Sequence, residues 1–261
     1  MNNRMLQVVK GLLGLVVLVV LLNGYLLIQK PGSMEVADFA TTFSSRILDI
    51  HSIKEHKSLM LAMSSLIFVV FFNLVFGGYI YNNFVRGASF IFSRVRNRTT
   101  WLWKNAGKLY GICGLFTFVY LLLVLTVCLY SSGEKITEAC IVIFLNHWLS
   151  FTVLLMLSTI WINFLSVKVG NIKAFIIVYG ILVLFMQLEL HYENIPYIGE
   201  CYMAHFLNPI AIITLPSLES VLLKGIIILY EQILIAAAVF RWSNCLNYTD
   251  IVMLKNREER G

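Results

Sequence analysis

Apolar runs long enough to cross a bilayer alternate along this chain with shorter polar segments. A spanning helix needs about 20 mostly apolar residues. Six stretches meet that requirement: residues 6–28, dominated by GLLGLVVLVVLL, then 58–81, 109–130, 139–167, 174–190 and 218–240. The fourth is long enough to tilt or to begin outside the hydrocarbon, and the fifth is the shortest. The first exceeds the roughly 7–15 apolar residues of a secretory signal core, and no small-x-small cleavage site follows it, so it is expected to remain as an uncleaved helix. The pattern predicts an all-α integral membrane protein with six transmembrane helices in a single transmembrane domain, residues 1–261.

The segments between the runs differ in kind. Residues 82–108 carry Arg86, Arg94, Arg96, Arg98, Lys104 and Lys108, with no acidic residue, and interleave Phe84, Phe90, Phe92, Trp101 and Trp103. Connections between bundle helices usually take about 2–8 residues. A longer basic and aromatic one is expected to hold one or two helices lying on the membrane surface, over 84–94 and 99–107. Anchoring of a cytoplasmic loop accounts for part of this composition by itself. Residues 29–57 form a mixed-charge outer loop with room for a short helix near 36–50, and 131–138 form a tight turn. Residues 189–217 are aromatic and apolar but are interrupted by Pro196, Pro209 and Pro216. Proline breaks a helix interior, so this outer segment is expected to dip partly into the outer leaflet as a re-entrant helix–turn–helix, under cover of protein or a wet cavity.

Composition supports a membrane protein: 59% of the 261 residues are hydrophobic, only 13% are charged, and the mean hydropathy is +0.81. The net charge of +6 does not point to nucleic acid, because the basic residues gather in loops rather than on a solvated face. With the N-terminus inside, 14 Lys and Arg fall in inner segments and five in outer ones, with Lys224 set aside as intramembrane. The positive-inside rule therefore places both termini in the cytoplasm, with 82–108 on the same side. The five cysteines have no CxxC or histidine-spaced grouping. They read as small apolar packing residues, with an outer bridge between Cys140 and Cys201 as the alternative.

Charge within the spans is the sharpest chemical signal. Glu231 falls near the middle of the sixth span, and Lys224 lies seven residues earlier on the same helix face. An ionisable group at the bilayer centre costs at least about 2.5–3.5 kcal/mol on insertion scales, so it normally faces protein or water. The pair reads either as part of a substrate path or gate, or as a helix–helix hydrogen bond. Asn73, Asn146, His147 and Asn163 are the other polar residues singled out within spans, where such groups commonly join helices. A ligand or proton-relay role is the alternative for His147. His191 and His205 near Glu189, Glu193 and Glu200 match no zinc spacing, so no metal site is expected. The chain has no HExxH, GxSxG or paired-glutamate protease helix, and GKL at 107–109 lacks the rest of a P-loop. No enzymatic activity or cofactor is expected of this chain, and if it carries out active transport a separate subunit must supply the energy.

Six spans with both ends inside, a basic surface helix after span two and a proline-broken outer segment after span five form an arrangement that resembles the permease subunits of ABC type-2 exporters. The likeness is to the small Gram-positive group linked to antimicrobial-peptide export or immunity. YNNFVRGASFIFSRVRNRTTWLWK (81–104) looks like the loop after span two in that group, and HFLNPI (205–210) like its outer re-entrant region. The segment before span one is only Met1–Met5, so the amphipathic N-terminal helix of many members is expected to be short or absent. The resemblance implies a permease pairing with a second permease chain, identical or homologous, each docking one ATPase. It implies that Arg86, Phe90, Arg94, Arg96, Arg98, Trp101, Trp103 and Lys104 form the coupling helix. It further implies a path or gate involving Lys224, Glu231, His147, Asn208 and Pro209, suited to an amphipathic peptide or lipid-like substrate. A non-transporting scaffold or sensor that binds another membrane protein is the alternative function.

Overall fold

The computed structural model describes residues 14, 66–83, 98–132, 136, 138–191 and 221–245. Among them are five helices and no strand: α1 (Ile67–Phe76), α2 (Arg98–Ser132), α3 (Glu138–Val169), α4 (Asn171–His191) and α5 (Val221–Cys245). Four contain segments long and apolar enough to cross a membrane: Thr99–Tyr130, Cys140–Val169, Asn171–Leu188 and Gly225–Trp242. They correspond to the third to sixth expected spans. α1 falls within the second, and of the first only Gly14 is described; it is helical and lies against the Phe71 ring, where a Cβ would collide. The outer segment beyond His191, the 29–57 loop and both termini lie outside the described residues.

One expectation is corrected. Residues 99–107 are not a separate surface helix, because α2 runs without interruption from Arg98 to Ser132. Gly107 is a single interior glycine, costing about 1 kcal/mol relative to alanine, and that is too little to end a helix that packs on both sides of it. Leu102, Ala106, Leu109 and Cys113 form a buried stripe through this point, while Trp103, Lys104, Gly107 and Lys108 are exposed. At 1.5 Å per residue the 35-residue helix is roughly 50 Å long, against a hydrocarbon core of about 30 Å. The excess length is taken up by tilt or by projection of one end beyond the lipid.

α3 is the hub. α1, α2, α4 and α5 all pack against it, and 61% of its membrane segment is buried, compared with 39%, 22% and 28% for α2, α4 and α5. α2 and α3 run antiparallel: Trp148 donates to the Gly114 carbonyl at 2.8 Å, and Phe118 meets Phe144 one turn further along. α1 runs parallel to α3 and antiparallel to α2, as Phe68 packs on Phe151, Phe116 and Tyr120 while Phe76 reaches Phe116. This aromatic cluster, with a 4.3 Å centroid separation between Phe68 and Tyr120, supplies large contact area and specific ring geometry where lipid gives no hydrophobic drive between helices. The alternating directions of α1, α2 and α3 are those of successive membrane crossings.

α3 and α4 are joined through Gly170 alone. Its φ of +86° lies in the left-handed region that favours glycine, and its N–H donates to the Ser166 carbonyl at 3.0 Å.

Candidate functional site

Two features meet at α3, a polar seam on one side and an apolar cleft on the other. The seam follows from how short polar side chains behave in a low-dielectric interior, where each must find a partner. Thr152, Thr159 and Ser166 donate back to the carbonyls four residues earlier, each at 2.6 Å. Asn73 of α1 enters among them: its Nδ2 donates to Ser158 Oγ at 2.9 Å and to the Tyr179 hydroxyl at 3.3 Å. Its Oδ1 lies 2.8 Å from the Thr159 hydroxyl, whose single proton it shares with the Leu155 carbonyl. One amide thereby ties α1, α3 and α4 together.

Asn163 acts at the next level. α1 ends at Phe76, turns at Gly77–Gly78 and is helical again over 79–83. Asn163 Oδ1 accepts from the Tyr81 N–H at 2.8 Å, and its Nδ2 donates to the Gly77 carbonyl and to the Thr159 carbonyl, each at 2.7 Å. Gly77 O and Tyr81 N–H are four residues apart, the pair that bond to one another in an unbroken α-helix. The side chain of α3 has taken up both, which accounts for the interruption of the α1 helix by an inserted side chain at a glycine pair. A Cβ on Gly77 would collide with the Asn73 carbonyl oxygen.

The cleft has a volume of about 240 Å³ and is lined by Leu157, Ser158, Trp161 and Leu165 of α3, Val178, Ile181, Leu182 and Phe185 of α4, and Tyr230, Glu231 and Leu234 of α5. α4 and α5 both pack on α3 but scarcely on one another, which leaves the cleft between them. Trp161, Ile181 and Leu234 are exposed and form its rim. Glu231 is at its floor, 1% exposed, on a stripe of α5 that continues through Ile227, Ile235 and Val239 at four-residue spacing. Among the described residues neither carboxyl oxygen has a hydrogen-bond partner, and no Lys, Arg or His lines the cleft. The arrangement can accept a hydrogen-bond donor or a positive charge from outside the described chain.

The other singled-out residues are dispersed. His147 is buried on α3, its ring 6.1 Å from that of Phe151 and away from the cleft lining. Lys224 belongs to the first turn of α5, with its side chain outside the described residues. Arg86, Phe90, Arg94, Arg96, Asn208 and Pro209 also lie outside them, as does Cys201, whereas Cys140 is buried. Arg98 opens α2, followed by half-buried Trp101 and exposed Trp103 and Lys104. Among the described residues no cluster of metal-ligating side chains occurs. Sequence reasoning singled out Asn73, Asn163 and Glu231 but not Tyr179, Ser158 or the wall of the cleft. The unused signal was the Gly77–Gly78 pair in an apolar run, which marks a place where backbone groups need outside partners.

Comparison with family models, with curated proteins and with solved structures returned no match to this chain.

Proposed function

We propose that this chain is the membrane-spanning permease subunit of an ATP-driven exporter of the ABC type-2 kind. It would be seated in a bacterial cell membrane with both termini cytoplasmic and paired with a second permease chain. ATP and Mg²⁺ are bound by a separate ATPase, which acts on the basic segment 82–108. The observation that carries the transport role is Glu231: a carboxyl without a partner among the described residues, at the floor of an apolar cleft within a helix bundle. Ionisable groups retained at membrane depth mark substrate or ion paths by default, and a group serving only to hold helices together would be expected to have found a partner. The basic start of α2, with Trp103 and Lys104 exposed, supports an ATPase contact next to the rest of the loop.

The test is purification of the tagged chain from its native membrane with identification of what remains bound. The expected result is an ATPase lacking membrane spans, lost when Arg94→Glu and Arg98→Glu are combined. An ATPase that stays bound to this double variant argues against the coupling role, and its absence from the wild-type preparation argues against the exporter altogether. The satisfied polar seam among α1, α3 and α4 favours a second reading, a rigid non-transporting scaffold, which predicts normal function in cells without any ATPase.

A further inference from the structure

We infer that the cleft between α4 and α5 binds a lipophilic cation, an apolar body carrying a primary ammonium group, with Glu231 as its counter-ion. The inference deepens the transport reading by naming a substrate class, and it rests on that reading only for the claim that the bound molecule is then moved. Binding itself follows from the site. A carboxyl buried away from water is either neutral or paired with a cation, and among the described residues the cleft lining contains this carboxyl and no cationic residue to pair with it. Lys168, further along α3, is exposed and has its Nζ 5.5 Å from the Phe164 ring centroid.

The walls agree with the floor. Leu157, Leu165, Val178, Ile181, Leu182 and Leu234 offer apolar contact. Trp161, Phe185 and Tyr230 add aromatic faces, and aromatic faces beside a carboxylate are the side chains that attract ammonium groups. Ser158 Oγ is already engaged, donating to the Leu155 carbonyl and accepting from Asn73, so Glu231 is left to decide the head group. Entry is sideways: the rim residues Trp161, Ile181 and Leu234 are exposed on the outer face of the bundle, which in a membrane faces acyl chains. A molecule that partitions into lipid can reach the cleft without crossing water. The volume of about 240 Å³ is just below the roughly 300–1,000 Å³ of ordinary ligand pockets, so it holds the head and the first part of the body while the tail stays in lipid.

The experiment uses the full chain in phosphatidylcholine nanodiscs with a pair of photoreactive probes, a diazirine-bearing alkylamine and the alcohol of the same length. Labelled peptides are located by mass spectrometry. The expected result is saturable labelling of α3, α4 and α5 cleft peptides by the amine, competed by unlabelled amine and at least about tenfold stronger than by the alcohol. Glu231→Gln should remove the preference for the amine while leaving the chain monodisperse. Ile181→Trp, at the rim, should block both probes while retaining the carboxyl, which keeps the test informative if Glu231→Gln fails to fold. Equal labelling by the two probes, non-saturable labelling, or an amine preference that survives Glu231→Gln overturns the inference. ATPase co-purification, scored on the same preparations, separates the two claims. A saturable amine site without an ATPase leaves the binding site and removes the exporter; an ATPase without the amine site does the reverse.

Discussion

Replacing Asn163 by leucine tests whether the polar seam fixes α1 on α3. The side chains are similar in size, so the change removes hydrogen bonds with little change in packing volume. Three bonds are lost, and two of them cross from α3 to α1, to the Tyr81 N–H at 2.8 Å and the Gly77 carbonyl at 2.7 Å. Side-chain hydrogen bonds between membrane helices average about 0.6 and reach about 1.7 kcal/mol, so two give a loss of about 1.2–3.4 kcal/mol. The upper part of the range is expected, because Gly77 O is a backbone acceptor that must find a new partner where water is scarce. The assay is reversible unfolding in mixed micelles, with Asn105→Leu as the control. Asn105 also donates to a carbonyl, that of Trp101 at 2.8 Å, but within its own helix and near its end. Asn163→Leu should be destabilised well beyond Asn105→Leu. Equal effects would refute the assignment of Asn163 as the tie between α1 and α3.

Further outcomes follow from the same structure. Asn73→Leu and Thr159→Val should be non-additive, since each removes the same 2.8 Å bond; a double-mutant cycle should give a coupling of about 0.5 kcal/mol or more, and strict additivity would contradict the network. Gly170→Ala should cost about 1–2 kcal/mol, because its φ is +86° and nothing within 4 Å would meet the new methyl, leaving backbone conformation as the only source of strain. Gly180→Ala, in open space within α4, should instead be neutral or stabilising by up to about 1 kcal/mol. Glu231→Leu should raise stability in detergent by about 1–3 kcal/mol, since it replaces a buried carboxyl that has no partner among the described residues with an apolar group. A destabilised Glu231→Leu variant would mean that the carboxyl has a structural partner.

The helices α3, α4 and α5 are legible in the sequence because an apolar run of 18 residues or more has few alternatives. Their ends were less so: α5 continues to Cys245, past the expected end at 240, with Trp242 buried in that extension. α2 shows the limit more sharply. The Lys104–Lys108 cluster interrupts the hydropathy pattern and suggests a break, yet the buried stripe through Leu102, Ala106 and Leu109 carries the helix across it. At the site, Glu231 stands out in sequence because charge is rare at that depth. What it faces does not, since the cleft arises from how α4 and α5 diverge on α3, a property of side chains far apart in sequence. The same holds for Asn163 and Gly77, which are 86 residues apart.

The direction of the chain in the membrane underlies both the coupling role and the route of entry, and it can be read from one position. A single cysteine at Ser93, in a chain otherwise free of cysteine, should react with a membrane-impermeant maleimide in inside-out vesicles and stay unreactive in intact cells. Modification from the outside of intact cells would put the arginine-rich segment on the external face and contradict an ATPase working on it.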